Sequence, residues 1–506
     1  MEEISICPTD RELSEKREDS LAEHDGPHLS YSKRESDELL EDFEEIIHLD
    51  EEYKVTKSKG IENRKSPIGS FQNQDNYCQE DDGGDDHNDD AGVADARDAV
   101  QSNVFDLLPE EVILEILSYI PLKQLYTSIP FVSKQWYANA KNPLLWQKLT
   151  FEETKHLTLG CFMSIIESRC PLLKELSLKC RSDLCSLDFL TIAKSSPLLQ
   201  KLSLAFCSQG NIRTALQSFT EFCPQLHSIS LEGCDINHDC IHTLKNLCLK
   251  YLNVSHCTKL VDESLIDLSK QHPGLVSINF DGVQWITDNA VQVMVANCWS
   301  SLKYLWLDGA NLSDDGIRLI SRCPKLRLFS LSFCDELSDH ALVWIQQMKS
   351  LNSLRIKKGV EFTAKALRDL FVNFHPQVTD SLTGLCHLTL AECLALDDDG
   401  LEAVADSCRN LKTLDLSWCW DITDKGLQYI ILNCSEMRYL NICGLREVTG
   451  VPLRQVPSTM PHLTELDARQ CNKMRDELLY ELVVKVPKLI VIDYYGDYVV
   501  PGNPKW

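Results

Sequence analysis

The sequence lacks a long apolar run. None of its 506 residues belongs to an apolar stretch of about 18 residues, so we expect no membrane-spanning helix. The first residues, Met1 to Ser14, carry charges where a secretory signal needs an apolar segment. Since no route to an oxidising compartment is visible, we expect the 22 cysteines to be thiols in a cytoplasmic or nuclear protein.

The sequence also has fewer basic than acidic residues. The chain has 50 basic and 76 acidic side chains, a net charge of −26, which argues against nucleic acid or an anionic membrane as a partner. Residues 1–100 hold 30 acidic and 11 basic side chains, whereas the other residues have a net charge of only −7. Because apolar residues are sparse there, we interpret residues 1–103 as a disordered acidic arm. Its densest run, Glu80–Asp90, lacks the spacing of a calcium loop.

The rest of the chain is filled by a repeat. From residue 170 onward the pattern Leu-x-x-Leu-x-Leu-x-x-Cys returns at steps of 23 to 27 residues, with one step of 34. The first position of this pattern is Leu in twelve of thirteen units and Met437 in the other. A further N-terminal unit fits around Trp146, Leu149 and Phe151. The pattern therefore predicts about 13 to 14 stacked units.

The pattern also predicts the structure of each unit. The alternating apolar pair indicates a short parallel strand with its apolar side chains turned inward. A polar turn follows, in which Ser or Thr precedes Asp, as at Thr287, Ser313, Ser338 and Thr423; such residues favour a helix N-terminus. A helix then returns to the next strand. Because no unit can bury its own apolar face, we expect an α/β solenoid, curved into a horseshoe with the strands on its concave side.

The cysteines recur at fixed places in this pattern. One set, such as Cys207 and Cys419, follows the strand, and another, such as Cys223 and Cys323, ends the helix. We interpret both sets as small buried residues of the repeat. The sequence contains no Cys-x-x-Cys, which argues against a metal site, and no cysteine stands apart beside a candidate histidine base. We expect no cofactor, no metal and no catalytic residue.

A third kind of sequence lies between the acidic arm and the repeats. Pro109, Glu110 and Glu111 are typical of a helix start, and an apolar helical face runs from Val112 to Ile120 before Pro121 ends it. A second apolar block follows and closes on Trp146. The segment is too short to be stable without packing on something else.

These residues carry a resemblance. Three segments together resemble an F-box: Leu108-Pro109-x-Glu111-Val112-Ile113-x-x-Ile116-Leu117, then Val132-Ser133-Lys134-x-Trp136 and the closing Leu145-Trp146. The repeats resemble the cysteine-containing leucine-rich repeats that follow F-boxes, so residues 104–495 look like an F-box and leucine-rich-repeat protein. The domains are then an acidic arm (1–103), an F-box (104–148), repeats (149–495) and a tail (496–506).

The resemblance implies a function. Such proteins are non-catalytic substrate receptors of SKP–cullin–F-box ubiquitin ligases, which bind an SKP-family adaptor and, through it, a cullin–RING core. The implied adaptor contacts are Leu108, Pro109, Ile113, Leu117, Ile120 and Trp136, some of which could instead face the interior of the F-box. The alternative is a repeat scaffold or inhibitor without a ligase role, in which the F-box-like helices only cap the solenoid.

Candidate substrate contacts lie on the concave strand positions. Most of these positions hold small polar residues, but three clusters of aromatic and charged residues stand out. The candidates are Asp281, Tyr304, Trp306, Asp308, Arg355, Lys357, Asp415 and Trp418.

Two further segments each have two interpretations. The long step inserts about eight residues around 373–377, either a binding loop or a tolerated bulge. The aromatic tail from Tyr494 either caps the last unit or reaches a partner.

Overall fold

The computed structural model describes residues 108–150, 154–207, 212–372 and 382–501. The predicted acidic arm, the insertion at 373–377 and the last residues of the tail lie outside these ranges. The described chain divides into a helical unit that ends at Trp146 and a repeat unit that begins at Gln147.

The helical unit consists of three α-helices and two 3-10 turns. Its elements are α1 (Glu110–Ser118), α2 (Leu122–Thr127), a 3-10 turn (Ile129–Phe131), α3 (Lys134–Ala140) and a second 3-10 turn (Pro143–Trp146). The predicted helix start is confirmed, because Pro109 stands at the N-cap and two glutamates occupy the first turn. Ser133 caps α3 by accepting a hydrogen bond from the Trp136 N–H.

The repeat unit begins with strands and helices in strict alternation. Its first half comprises β1 (Lys148–Leu149), α4 (Leu159–Arg169), β2 (Glu175–Ser177), α5 (Ser186–Ser195), β3 (Lys201–Ser203), α6 (Ile212–Phe222), β4 (Ser228–Ser230), α7 (His238–His242), a 3-10 turn (Thr243–Asn246), β5 (Tyr251–Asn253), α8 (Asp262–Gln271), β6 (Ser277–Phe280), α9 (Asp288–Cys298) and β7 (Tyr304–Asp308).

The second half continues the alternation. It comprises α10 (Asp314–Ile320), β8 (Leu328–Ser332), α11 (Asp339–Gln346), β9 (Ser353–Lys357), α12 (Ala364–Asp369), β10 (His387–Ala391), α13 (Asp398–Ser407), β11 (Thr413–Asp415), α14 (Asp424–Asn433), β12 (Tyr439–Asn441), a 3-10 turn (Val451–Gln455), α15 (Val456–Thr459), β13 (Glu465–Asp467), α16 (Asp476–Lys485) and β14 (Ile490–Ile492).

The fourteen strands form one parallel sheet in the order of the chain. This confirms the predicted solenoid, and the pairing of Leu149 with Leu176 confirms the additional N-terminal unit. The thirteen Leu or Met positions of the pattern are all buried. The predicted caps are confirmed too: Thr287, Ser313, Ser338 and Thr423 each accept a hydrogen bond from a backbone N–H of the helix that follows.

Hydrogen bonds join the N-terminus of one helix to the N-terminus of the next. The first residue of α13, Asp398, accepts hydrogen bonds from the backbone N–H and the hydroxyl of Thr423, the cap of the next helix. The same pairing recurs between Asp262 and Thr287 and between Asp339 and Thr363. Together with the strand ladder, these bonds hold neighbouring repeats in register.

The last strand differs from the prediction. A step of 26 residues from the inward-facing Ala468 predicts Tyr494 as the next inward-facing residue. In the structure, Leu466 pairs with Val491 and Asp467 with Ile492, so the strand lies one residue earlier. The tail then turns back, because Asp493 accepts hydrogen bonds from the N–H groups of Tyr495 and Asp497. The Val499 N–H reaches the Val491 carbonyl at 2.9 Å. Of the two readings of the tail, capping is therefore the one observed for its described part.

Candidate functional site: an apolar helical surface and a concave strand row

The helical unit has an interior of its own. Ile113, Leu117, Leu125 and Trp146 are almost completely buried, and the Trp146 indole N–H donates to the Ala140 carbonyl at 2.8 Å. Two of the predicted adaptor contacts therefore need correction. Ile113 and Leu117 have no exposed surface, because they lie on the inner side of α1, so a partner cannot touch them in this conformation.

The other predicted adaptor contacts remain accessible. Pro109 is exposed, while Leu108, Ile120 and Trp136 are half-buried. Contact of these four residues with an adaptor stays a prediction.

Sequence reasoning missed the most exposed apolar side chains of this unit. Phe131 is 86% exposed and Tyr119 79%, and Val132 and Leu144 are more than half exposed. The sequence pattern does not mark them as exposed, because they lie in turns, outside the helical periodicity. An apolar residue beside a proline, as Phe131 is beside Pro130, was the available signal. Exposed apolar surface of this kind is typical of a protein-binding site.

In the repeat unit, the register joins the three predicted clusters into one row. Trp306 pairs with Ser330, which pairs with Arg355; Arg355 pairs with Thr389, and Thr389 with Asp415. These residues occupy five adjacent strands, β7 to β11. At about 4.8 Å per strand, this first row extends over about 19 Å.

A second row runs parallel to the first, two residues further along each strand. Asp308 pairs with Ser332, which pairs with Lys357. Asp308 accepts a hydrogen bond from the Ala310 N–H at 3.0 Å. Burial raises its pKa to about 6, and the neighbouring charges of Asp281 and Asp335 act in the same direction.

The candidate contacts differ in how much surface they offer. Asp281, Trp306, Lys357 and Trp418 are half-exposed. The remaining four candidates, which were expected to be exposed, are at least nine-tenths buried: Tyr304, Asp308, Arg355 and Asp415. The cause is the strand spacing, which brings the side chains of neighbouring repeats into contact and leaves the larger ones covered. We refer to both rows together as the concave row. Its accessible part consists of Trp306 from the first row and Lys357 from the second, flanked by Asp281 and Trp418.

Trp418 has an unusual backbone. It adopts the left-handed conformation, with φ of 63°, and its ring covers Gly444 so closely that a Cβ there would lie 2.7 Å from the ring. Phe206 covers Gly233 and His256 covers Gly282 in the same way. This left-handed position recurs two residues after the inner apolar residue of most repeats. The recurrence of glycine or an aromatic residue at this position in several repeats was the available sequence signal.

The cysteines occupy the predicted structural positions. The Cys419 thiol donates to the Leu390 carbonyl at 2.8 Å, and Cys207 and Cys257 make the same bond to the preceding repeat. Burial raises the pKa of Cys207 and of Cys257 to about 12, so these thiols are protonated at neutral pH. Within the described ranges, no group of three or more His, Cys, Asp or Glu residues could hold a metal ion. No described helix has the length and apolarity needed to span a bilayer.

Family comparisons agree with this architecture. The F-box-like family matches residues 105–152, and the leucine-rich-repeat family matches residues 407–430. The chain is thus similar to F-box proteins over the helical unit and to leucine-rich-repeat proteins over part of the repeats.

Several known proteins are similar to parts of this chain in sequence or structure. F-box protein SKIP1 of Arabidopsis thaliana is 24% identical over 265 residues, which are 48% of this chain and 85% of the relative. F-box/LRR-repeat protein 4 of Bos taurus is 25% identical over 271 residues, 51% of this chain but only 43% of that protein. A solved structure of the yeast Rad7 and Elc1 complex has a chain that matches with a TM-score of 0.54 at 20% identity, covering 77% of this chain and 92% of that one. That likeness concerns the fold.

Proposed function

We propose that this chain is the substrate-recognition subunit of an SKP–cullin–F-box ubiquitin ligase. In this proposal the helical unit binds an SKP-family adaptor, which connects to a cullin–RING core, and the concave row binds a protein substrate. The chain supplies no catalytic residue. It acts by holding a substrate lysine at high local concentration near the conjugating enzyme. The complex would work in the cytoplasm or the nucleus.

The observation that carries the proposal is the exposed apolar surface of the F-box-like unit. Phe131 and Val132 expose 86% and 52% of their surface to solvent, although they adjoin the buried Ile129. A helical unit this small gains stability when a partner covers such surface. Val132 also belongs to the segment Val132 to Trp136 that resembles an F-box, and this segment ends at the predicted adaptor contact Trp136.

The test is co-purification of the full chain with a recombinant SKP-family adaptor. We expect a stable complex that is lost when Phe131→Ala and Val132→Ala are combined. Leu187→Ala is the matched control, because Leu187 is equally apolar and 67% exposed but lies on α5 of the repeat unit. Unchanged thermal unfolding of the double variant would show that binding, and not folding, was lost.

Two outcomes would contradict the proposal. If the full chain does not bind the adaptor, the ligase role is wrong, and the repeat scaffold becomes the better interpretation. If the double variant binds as well as the control, the adaptor uses another surface of the unit.

A further inference from the structure

The two edges of the strand sheet differ in charge: basic residues predominate on one, which also holds Glu175 and Glu465, and acidic residues predominate on the other. We define the basic edge as the Lys, Arg and His residues that immediately precede seven of the strands: Lys174, His227, Lys250, Lys303, Arg327, Lys412 and Arg438. The other edge carries the acidic helix starts, Asp262, Asp288, Asp314, Asp339, Asp398 and Asp424. In a parallel sheet connected by helices, the starts of all strands share one edge, and the starts of all helices share the other.

Backbone hydrogen bonds place three pairs of these basic residues side by side. The Arg327 N–H donates to the Lys303 carbonyl at 2.8 Å, and the Arg438 N–H donates to the Lys412 carbonyl at 2.7 Å. Lys250 is joined to His227 in the same way, at 2.9 Å. From Lys250, just before β5, to Arg438, just before β12, there are seven strand steps, which span about 34 Å at about 4.8 Å each. Val276, Asn352 and Cys386 interrupt the basic residues along this edge.

The cations of the two edges differ in their surroundings. On the acidic edge, Lys259 pairs with Asp235 at 2.7 Å and Lys425 with Asp399 at 3.4 Å. On the basic edge, Lys250, Lys303 and Arg327 make no ion pair with any described residue. These three uncompensated cations attract an anionic segment and favour its association.

The chain itself contains a segment that fits this edge. Glu80–Asp90 carries seven carboxylates in eleven residues, and residues 1–100 have a net charge of −19. An extended stretch of eleven residues covers about 36 Å, which matches the length of the basic edge. Because it belongs to the same chain, its effective concentration is far above that of a free acidic partner.

We propose that Glu80–Asp90 docks along the basic edge of its own chain. The docked segment covers the cations and keeps other anionic molecules from this edge. The contact is electrostatic and lies at the surface, so salt weakens it. It is independent of the ligase role, since it involves neither the helical unit nor the concave row.

The test is zero-length carbodiimide crosslinking of the full chain, followed by peptide mass spectrometry. We expect carboxylates of Glu80–Asp90 to couple to Lys250, Lys303 and Lys412 at low salt, with at least a fivefold loss in 0.5 M NaCl. Lys259, Lys425 and Lys473 on the acidic edge are the comparison lysines. Equal coupling to both sets, or coupling insensitive to salt, would overturn the proposal.

A charge-reversed variant sharpens the test. Arg327→Glu combined with Arg438→Glu removes attraction but keeps every reactive lysine, so coupling should fall at least fivefold. Arg213→Glu is the matched control, since Arg213 lies on the acidic edge and pairs with Asp239 at 3.3 Å. If the double variant unfolds, Asp81→Asn, Asp82→Asn, Asp85→Asn and Asp86→Asn together should lower the coupling of the remaining carboxylates, Glu80, Asp89 and Asp90, at least fivefold without changing the sheet.

An equal mixture of unlabelled and ¹⁵N-labelled chains distinguishes the possible occupants. Crosslinks that join only peptides with the same label support docking within one chain. Crosslinks that join a labelled peptide to an unlabelled one would overturn the proposal in favour of docking on a second copy. Absence of arm crosslinks, together with binding of added polyglutamate, would overturn it in favour of a separate acidic partner.

Discussion

Asp398 and Thr423, the first residue of one helix and the cap of the next, are joined by two hydrogen bonds across 25 residues of sequence. The carboxylate accepts from the Thr423 N–H at 2.9 Å and from its hydroxyl at 2.6 Å, and also from the Gly426 N–H at 2.9 Å. One side chain therefore satisfies three donors at a helix start, where backbone N–H groups lack partners within the helix. Repeats joined in this way should unfold together.

Asp398→Ala should lower the free energy of unfolding by about 1–3 kcal/mol, because it removes the acceptor of three hydrogen bonds. Urea unfolding followed by circular dichroism measures the change. Asp399→Ala is the control: this neighbour is exposed and only pairs with Lys425 at the surface, so its loss should cost less than about 1 kcal/mol. Equal effects of the two substitutions would mean that the inter-repeat bonds contribute little.

Gly426→Ala should destabilise the same junction through sterics. A Cβ at this position would lie 2.5 Å from the Asp398 carboxylate oxygen, so the carboxylate would have to move and its hydrogen bonds would weaken. We expect a loss of about 1–3 kcal/mol in urea unfolding. Gly160→Ala is the contrasting change, since a Cβ there meets no atom within 4 Å; within α4 it should be neutral or stabilising by up to about 1 kcal/mol. A neutral Gly426→Ala would show that the junction is loosely packed.

The buried thiols should make the protein sensitive to alkali. Burial raises the pKa of Cys207 from 9.0 to about 12, so the folded state keeps its proton while the unfolded state loses it. The free energy of unfolding therefore does not depend on this thiol's ionisation below pH 9. It falls as the pH rises from 9 to 12, by up to about 1.4 kcal/mol per pH unit for each such thiol.

Urea unfolding between pH 8 and 11 tests this dependence. Cys207→Ala should be less stable than the parent at pH 8, but its stability should decline less steeply with pH. Cys161→Ala, which removes an exposed thiol, should leave the slope unchanged. A slope that is the same in all three proteins would contradict the assignment.

The concave row should carry substrate binding. Trp306→Ala and Lys357→Glu, tested separately, should each reduce capture of substrate proteins at least tenfold, which corresponds to about 1.4 kcal/mol, and should leave adaptor binding intact. Quantitative affinity capture with the full chain measures both. Val343→Ala on α11, an exposed apolar residue away from the row, is the control. Retained capture by the Trp306 variant would exclude the row as the main contact.

Much of the fold could be predicted because one physical requirement repeats. Each unit must bury the same leucine, so Leu275 and Leu302 reveal their role by spacing alone, and Thr287 and Ser313 reveal the helix starts. The last strand could not be placed in this way. Its register depends on the returning tail, in which Asp493 binds the N–H groups of Tyr495 and Asp497.

The candidate sites were predicted less well. Spacing identified which residues face the concave side, but the burial of Arg355 and Asp308 depends on the volumes of side chains from neighbouring repeats, far away in sequence. In the helical unit, Ile113 and Leu117 follow helical periodicity, which indicates a buried face and not a contact surface. Phe131 lies in a turn, where no periodicity marks it.

The returning tail also determines what can happen at the C-terminal end of the sheet. An uncovered outer strand offers a row of free N–H and C=O groups to which a foreign strand can add. Here the chain occupies part of that row with its own backbone, since Val499 bonds to Val491 and Ile492 bridges to Tyr498 in antiparallel fashion. The reversal of direction interrupts the parallel ladder, so the sheet should resist end-to-end self-assembly into longer fibres.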